Sequence, residues 1–480
     1  MNNGLPSGWT LASLEELVED PMQDIVDGPF GSNLKASSYV PAGVPIVRLQ
    51  NIDRNRFLDK NIRFVTLEKA AELARHSFCA GDIVITKLGD PVGKACIVPP
   101  RLPEGIIVAD VVRARIDERR SLVQFVAYAI NSPQLCSQLN LEVKGSTRPR
   151  VNLRHIRSFK IRVAPLNEQS RIVAKLEKLL DKVDSCQKRL AKISILLKRF
   201  RQAVLATACS GQLTLDWRQK SQSCSEFVDL DLPGGWNWQT IRNLVGPSGL
   251  FDGPFGSNLK TADYTGHGVR VVRLENIGHL KFLNEKKAFI SEQKYQNLRK
   301  HTVRDGDIIF SSFIDEEIRV CVLPPLPTQA IAKADCFCLR PNRDSVDIRY
   351  LTLQLAAPAT YNRLLEKVHG ATRPRINTTQ LRDLIVPVCP PDEQHEIVRR
   401  VDELFALADQ VESRYSKAKQ YVDGLKQSIL ARAFRGELVP QDPKDEPATA
   451  LLERIREARS SEPSKRLVKR TSKSGVQSVS

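Results

Sequence analysis

Beyond Pro165 the apolar residues fall into a strict rhythm. Ile172, Leu176, Leu179, Val183, Cys186, Leu190, Ile193, Leu197, Phe200 and Val204 are separated by alternating steps of four and three. That alternation is the seam of a heptad helix, which buries one narrow stripe against a partner. At 1.5 Å per residue the seam from Ile172 to Val204 rises about 48 Å. The rhythm returns in phase at Ile397, Val401, Leu404, Ala408, Val411, Tyr415, Ala418, Val422, Leu425 and Ile429. No Pro or Gly interrupts the first run between Asn167 and Ser210, and only Gly424 interrupts the second. The pattern predicts two long helices paired with each other; the competing reading packs each helix on its own globular part.

Ahead of each helix the pattern is that of short strands. Val44–Leu49, Asp82–Thr86, Ala95–Val98 and Lys160–Val163 are brief apolar runs, punctuated by Gly81, Gly89, Gly93, Pro99 and Pro100. A helical stretch is predicted from Leu122 to Leu139. The second half repeats the strands at Val269–Leu274, Asp307–Phe310, Val320–Leu323 and Asp383–Val388.

The repetition is literal in places. Asp-Gly-Pro-Phe-Gly-Ser-Asn-Leu-Lys occupies residues 27–35 and again 252–260, an offset of 225. The same offset relates Thr147-Arg148-Pro149-Arg150 to Thr372-Arg373-Pro374-Arg375, Glu168-Gln169 to Glu393-Gln394, and Gly211 to Gly436. A period this long exceeds that of solenoid repeats, so each copy is domain-sized. The expected order is a globular domain over 1–165, a long helix over 166–215, a second domain over 216–390, a second helix over 391–440, and a tail over 441–480. An α+β fold follows, with the two helices forming an antiparallel coiled coil of approximate two-fold symmetry and a globular domain at each end.

Charge narrows the partner. The chain carries 72 Lys and Arg against 55 Asp and Glu, a formal net charge of +17. Such an excess attracts phosphate polymers or anionic membranes. No apolar run reaches the roughly 18 residues of a membrane span, and no signal-peptide core opens the chain, so nucleic acid is favoured and no membrane partner is expected. Part of the excess lies in the tail, where Arg454, Arg456, Arg459, Lys465, Arg466, Lys469, Arg470 and Lys473 crowd a Ser-rich stretch expected to be disordered. The ten cysteines form no CxxC pair and only Cys96 recurs, at Cys321. Unpaired thiols in a reducing cytoplasm are therefore expected. Seven scattered histidines give no metal-ligand spacing, and no metal site is expected.

Candidate contact residues come from the duplicated motifs. Ser32, Asn33 and Lys35, with Ser257, Asn258 and Lys260, sit in a glycine-shaped turn, free to touch a DNA backbone or simply exposed on a structural turn. The motif lacks the spacing of a nucleotide-binding phosphate loop. Arg148 and Arg150, with Arg373 and Arg375, flank a stiffening proline. A guanidinium fork suits phosphate or guanine; the alternative is an ion pair between domain and helix, with Glu168 and Glu393 as partners. Base choice is expected where the copies differ, at 53–80, 86–94 and 101–142, matched by 278–305, 311–319 and 326–367. At one such place Gly89-Asp90-Pro91-Val92-Gly93-Lys94 is replaced by Ile314-Asp315-Glu316-Glu317-Ile318-Arg319, either an acidic base reader or a solvated loop. Asp82 with Lys87 suggests a nuclease strand, but the copy has Asp307 with Ser312 and no second acid is placed. Methyltransferase and dinucleotide motifs do not occur, so no cofactor and no catalysis are expected. Gly211 and Gly436 are expected to cap Ala-rich helix ends that dock a partner or pack on the domains.

This layout, with DGPFGSNLK, the Gly81-Asp82-Ile83 strand start, GSTRPR and Pro165-Leu166-Asn167-Glu168-Gln169 opening a helix, resembles the specificity subunit of type I restriction-modification systems. The resemblance covers residues 5 to 440, in both halves. It implies that each globular part is a target-recognition domain reading one half of a split, asymmetric site in double-stranded DNA. It further implies that the helices fix the gap, bind two modification (adenine methyltransferase) subunits, and assemble with restriction-translocation subunits. A stand-alone DNA-binding or architectural protein with two reading heads is the alternative.

Overall fold

The computed structural model describes residues 4–142, 149–220, 232–368 and 374–461. The chain divides into two compact units, Met1–Lys188 with Lys419–Ser480, and Arg189–Ala418. The boundaries between these units fall inside the long helices.

Unit 1 is built on two four-stranded sheets. One is antiparallel in the order Ile25–Asp27, Val111–Ala114, Ile83–Thr86, Ala95–Ile97. The other runs Arg63–Val65, Val44–Val47, Glu104–Ile107, Ser77–Cys79, with its central pair parallel. The predicted helix over 122–139 is two helices, Val123–Ile130 and Pro133–Glu142, because Pro133 lacks the amide that would continue the first. Unit 2 repeats the plan. Leu250–Phe251, Cys336–Leu339, Ile308–Ile314 and Ile318–Val322 form the antiparallel sheet. Val269–Val272 and Ala330–Ala332 form the parallel pair of a five-stranded second sheet.

The long helices are Leu166–Cys209 and Pro391–Ala433. Within unit 1 Asp184 pairs with Lys426 at 2.5 Å and Gln187 with Asp423 at 3.1 Å. Within unit 2 Arg201 meets Asp409 at 2.6 Å, and further along Arg400 meets Asp216 at 2.6 Å. In unit 1 the partner numbers move in opposite directions, from 184 with 426 to 187 with 423, so the two helices are antiparallel. Ile172, Leu176, Val183, Leu197, Ile397 and Val401 are buried, and Leu179, Leu190, Ile193, Leu404, Val422 and Leu425 half-buried. Val411, expected in the seam, is exposed, as is Phe200. A 3.6-residue helix drifts about 20° per heptad from a 3.5-residue stripe, so a long straight seam loses some of its positions to solvent.

The ends of the helices are core, not surface. Leu430, Ala433 and Phe434 enter the unit 1 core, where the Phe434 ring lies 5.1 Å from that of Phe125. Val204, Leu205 and Ala208 do the same in unit 2. Gly211 and Gly436 take left-handed φ of 73° and 76° just beyond, the helix-ending role expected of them. The expected disordered tail starts with order: Ala448–Ser461 is helical, and Ala448 and Leu452 are buried in the unit 1 core. Ala448, Leu451, Leu452 and Ile455 fall at helical spacing, an apolar stripe that the charge-rich composition obscured. No helix among the described residues is long and apolar enough to cross a membrane.

Candidate nucleic-acid interface

The DGPFGSNLK segment leaves the end of a strand in each unit and is pressed against a neighbouring turn. A Cβ on Gly28 would lie 2.0 Å from the Val108 carbonyl oxygen, and one on Gly253 would lie 2.1 Å from the Lys333 carbonyl carbon. Only glycine permits that approach. A histidine then pins the loop. His76 Nδ1 donates to the Asp27 carbonyl and His301 Nδ1 to the Asp252 carbonyl, both at 2.6 Å. Burial pushes the His301 imidazole below its ordinary value, which favours the neutral ring.

Past this anchor the chain turns outward. The Asn33 amide donates to the Phe30 carbonyl at 2.8 Å, and the Asn258 amide to that of Phe255 at 3.1 Å. Pro29 and Pro254 are buried, but Phe30 is 82% exposed and Phe255 51%. Ser32, Asn33 and Lys35 are exposed beside Phe30, and Asn258 and Lys260 beside Phe255. Ser257 lies in the same turn, its side chain outside the described set.

Arg150 and Arg375 close the surface. Arg150 pairs with Asp110 at 2.5 Å and Arg375 with Asp335, on the turns that Gly28 and Gly253 abut. These pairs lie within the globular part of each unit and do not join it to the long helix through Glu168 or Glu393. Glu168 accepts from Trp9 Nε1 at 3.1 Å, and Glu393 from Trp236 Nε1 at 2.9 Å and from Arg218. Arg148 and Arg373 lie outside the described residues. The Arg375 guanidinium sits 5.9 Å from the Phe255 ring centre and 5.6 Å from that of Phe313. Nearby, Tyr264 lies between Arg273 at 5.8 Å and Lys333 at 5.7 Å. The first-repeat counterparts Tyr39 and Arg48 line a hollow of about 330 Å³ with Gln50 and Asp110.

The repeats differ beneath the loop. In unit 1 the buried Lys87 ammonium lies 2.7 Å from the Asp27 carboxylate. In unit 2 the matching positions are Ser312 and Asp252. Burial pushes the Asp252 carboxyl up to about 6; neighbouring Asp335 adds to the rise, against the amide of Gly253 that donates to it. Asp82 accepts two bonds from Arg115 at 3.0 Å, and Asp307 is held by Arg340 at 2.8 and 2.7 Å. Both cap a strand start, and neither is set up for metal chemistry.

The turn at 314–319 folds towards the long helix. Glu316 approaches Lys198 at 3.8 Å and Asp315 pairs with Arg319 at 3.1 Å. Helices Val123–Ile130 and Ile348–Ala356, inside stretches expected to choose bases, are largely buried core. Sequence reasoning passed over Phe30 and Phe255, Tyr39 and Tyr264, Arg48 and Arg273, and Asp110 and Asp335. All keep the 225 offset, so the signal was present in the duplication itself.

Residues 82–194 and 270–418 match the family model described as the type I restriction modification DNA specificity domain. The chain is 28% identical to the type I restriction enzyme EcoKI specificity subunit of Escherichia coli K12, over 98% of this chain and 99% of that protein. It is 30% identical to the EcoBI specificity subunit of Escherichia coli, over 73% and 74%. Among solved structures it resembles, with a TM-score of 0.68 and 20% identity, a chain from a study of complex assembly and conformational transition of the type I R-M system, covering 90% of this chain and 99% of that one. The HsdS subunit of Thermoanaerobacter tengcongensis follows at a TM-score of 0.51 and 19% identity, over 91% and 100%.

Proposed function

The chain belongs to the specificity-subunit family of type I restriction-modification enzymes, and from that premise we propose that each repeat reads one half of a split, asymmetric DNA site. In such an enzyme the subunit supplies DNA specificity and is itself non-catalytic. The observation that carries the reading is one surface built twice: a glycine-pressed loop, an exposed aromatic, and an arginine tied to an aspartate, on frameworks that have otherwise diverged.

Ser32, Asn33, Lys35 and Arg150, with Ser257, Asn258, Lys260 and Arg375, contact the phosphate backbone and set the register on double-stranded DNA. Arg148 and Arg373 add to the same contact. Base choice belongs to the differing stretches at 53–80, 86–94 and 101–142 and their counterparts at 278–305, 311–319 and 326–367, outside the buried helices Val123–Ile130 and Ile348–Ala356. Two modification subunits dock on the long helices, restriction-translocation subunits join them, and the complex works in the cytoplasm. The length of the helices between the repeats sets the gap between half-sites.

Exchange of residues 25–115 for those of another member tests the reading and leaves the Phe125–Phe434 contact in place. Sequencing of methylated adenines in the host should then show one half-site changed and the other intact. Both halves changed, or neither, would overturn it.

A further inference from the structure

Phe30 and Phe255 both hold their rings exposed on the reading surface. A single exposed phenylalanine is ordinary on a protein. Here the same ring stands at the tip of the same loop in both repeats, 82% exposed in one and 51% in the other. Core packing cannot account for retention of a ring that both frameworks leave in water. The loop supplies support: a buried proline precedes the ring, a glycine approach and a histidine hold the base, and a turn bond from Asn33 or Asn258 fixes the tip. A rigid, presented ring has already lost the freedom that binding would remove.

The surroundings favour a nucleic acid over a protein partner. Ser32, Asn33 and Lys35 flank Phe30, and Arg375 lies over the Phe255 ring at 5.9 Å. An exposed aromatic beside a lysine or an arginine matches surfaces that grip phosphates while a ring stacks on bases. Protein hot spots instead cluster in well-packed pockets at the centre of a patch, whereas these rings stand at exposed loop tips.

We propose that Phe30 and Phe255 are paired wedges, each inserting its ring into the base stack at one half-site and unstacking a single step. The idea rests on the reading of the chain as a DNA-specificity subunit and adds to it a deformation that the loop imposes. A wedge of this kind makes the half-site sensitive to how easily its step opens, a selectivity that needs no hydrogen bond to a base edge.

The test uses the chain co-purified with its modification subunits and duplexes carrying the target site defined by methylome sequencing. 2-Aminopurine placed at successive positions reports unstacking by a rise in fluorescence. Wild type should give one rise in each half-site. Phe30→Ala should abolish the rise in one half only and weaken binding roughly tenfold, with the salt slope unchanged because no phosphate contact is lost. Phe255→Ala should do the same in the other half, and Phe30→Leu should keep most of the signal, since leucine also wedges. If wild type binds its site and the alanine variants match it in fluorescence and affinity, the wedge is wrong and the DNA reading stands. If the variants lose their modification subunits, the ring is a protein-docking residue and the wedge is equally wrong. If wild type ignores the site altogether, both ideas fall.

Discussion

Lys87 holds Asp27 at 2.7 Å beneath the first loop, with the lysine side chain only 8% exposed. The second repeat has Ser312 where that lysine stands, and its Asp252 is left with a carboxyl raised to about 6 by burial. The two repeats thus build one loop on opposite electrostatics. Substitution of the same aspartate by asparagine should act with opposite sign in the two units.

In unit 2 the sign follows from linkage. A carboxyl raised from an ordinary value of about 4 favours the folded state while it is protonated. That advantage is lost as pH rises from about 4 through about 6, so above 6 the wild type carries the full cost of an ill-placed carboxylate. Asp252→Asn removes the cost and keeps the acceptor for the Gly253 amide. Hydrogen exchange of the unit 2 core strands should show the variant more stable at pH 8, on the order of 1 kcal/mol after allowance for partial solvent access, and the gap should close near pH 4. A variant less stable than wild type at pH 8 would refute this account.

In unit 1, Asp27→Asn leaves a buried ammonium without its anion. The loss should be about 2 kcal/mol at pH 7, read from exchange in Ile83–Thr86 and Val111–Ala114. Replacing Lys87 with methionine in the same background should recover much of it, because no buried charge then remains. Failure of that rescue would mean the pair is not the source of the loss.

Lys35 and Lys260 test the backbone contact. Each neutralises one phosphate in the proposed reading, so alanine at either should flatten the slope of log affinity against log salt by about one. Binding to unrelated sequences should weaken equally, as anisotropy titrations over a range of salt would show. A loss confined to one base pair of the site would make the lysine a base reader instead.

Phe434 shows how much of unit 1 depends on the far end of the chain. Its ring is buried against Phe125 at 5.1 Å, although 309 positions separate the two residues in the sequence. Phe434→Ala should destabilise unit 1 by roughly 3–5 kcal/mol and leave unit 2 unchanged. Differential exchange of the two units measures it, and an equal loss in both would contradict the division of the chain.

The heptad seam and the duplication were legible because both are periodic, and periodicity survives divergence. Strands such as Lys160–Val163 were legible for the same reason. Glu104–Ile107 and Val111–Ala114 were not: the first opens on Glu-Gly, the second carries the buried Arg113, and neither alternates cleanly. The packing of Phe434 on Phe125 could not be read locally, because a helix end looks the same whether it docks a partner or completes a core. The Asp110 partner of Arg150 could not be read from the sequence, since it sits 40 positions away on a turn that becomes adjacent only once the sheets form. The exposure of Phe30 could not be read locally either, because Gly-Pro-Phe-Gly has no period that assigns the ring to core or solvent.

The spacing proposal is tested by changing helix length without changing either reading surface. Inserting residues in one helix alone would throw the antiparallel partners out of step. A heptad added after Leu190, with a second heptad between Asp409 and Asp423, preserves both the seam phase and the Asp184–Lys426 and Arg201–Asp409 pairs. Seven residues add about 10 Å of helix, close to three base pairs at about 3.4 Å each. Methylated sites in a host carrying this variant should keep both half-site sequences and show a gap longer by about three pairs. Since three pairs also rotate the DNA by roughly a third of a turn, methylation should be slower than for wild type even at the new spacing. An unchanged gap together with a rewritten half-site would show that the helices do not set the distance.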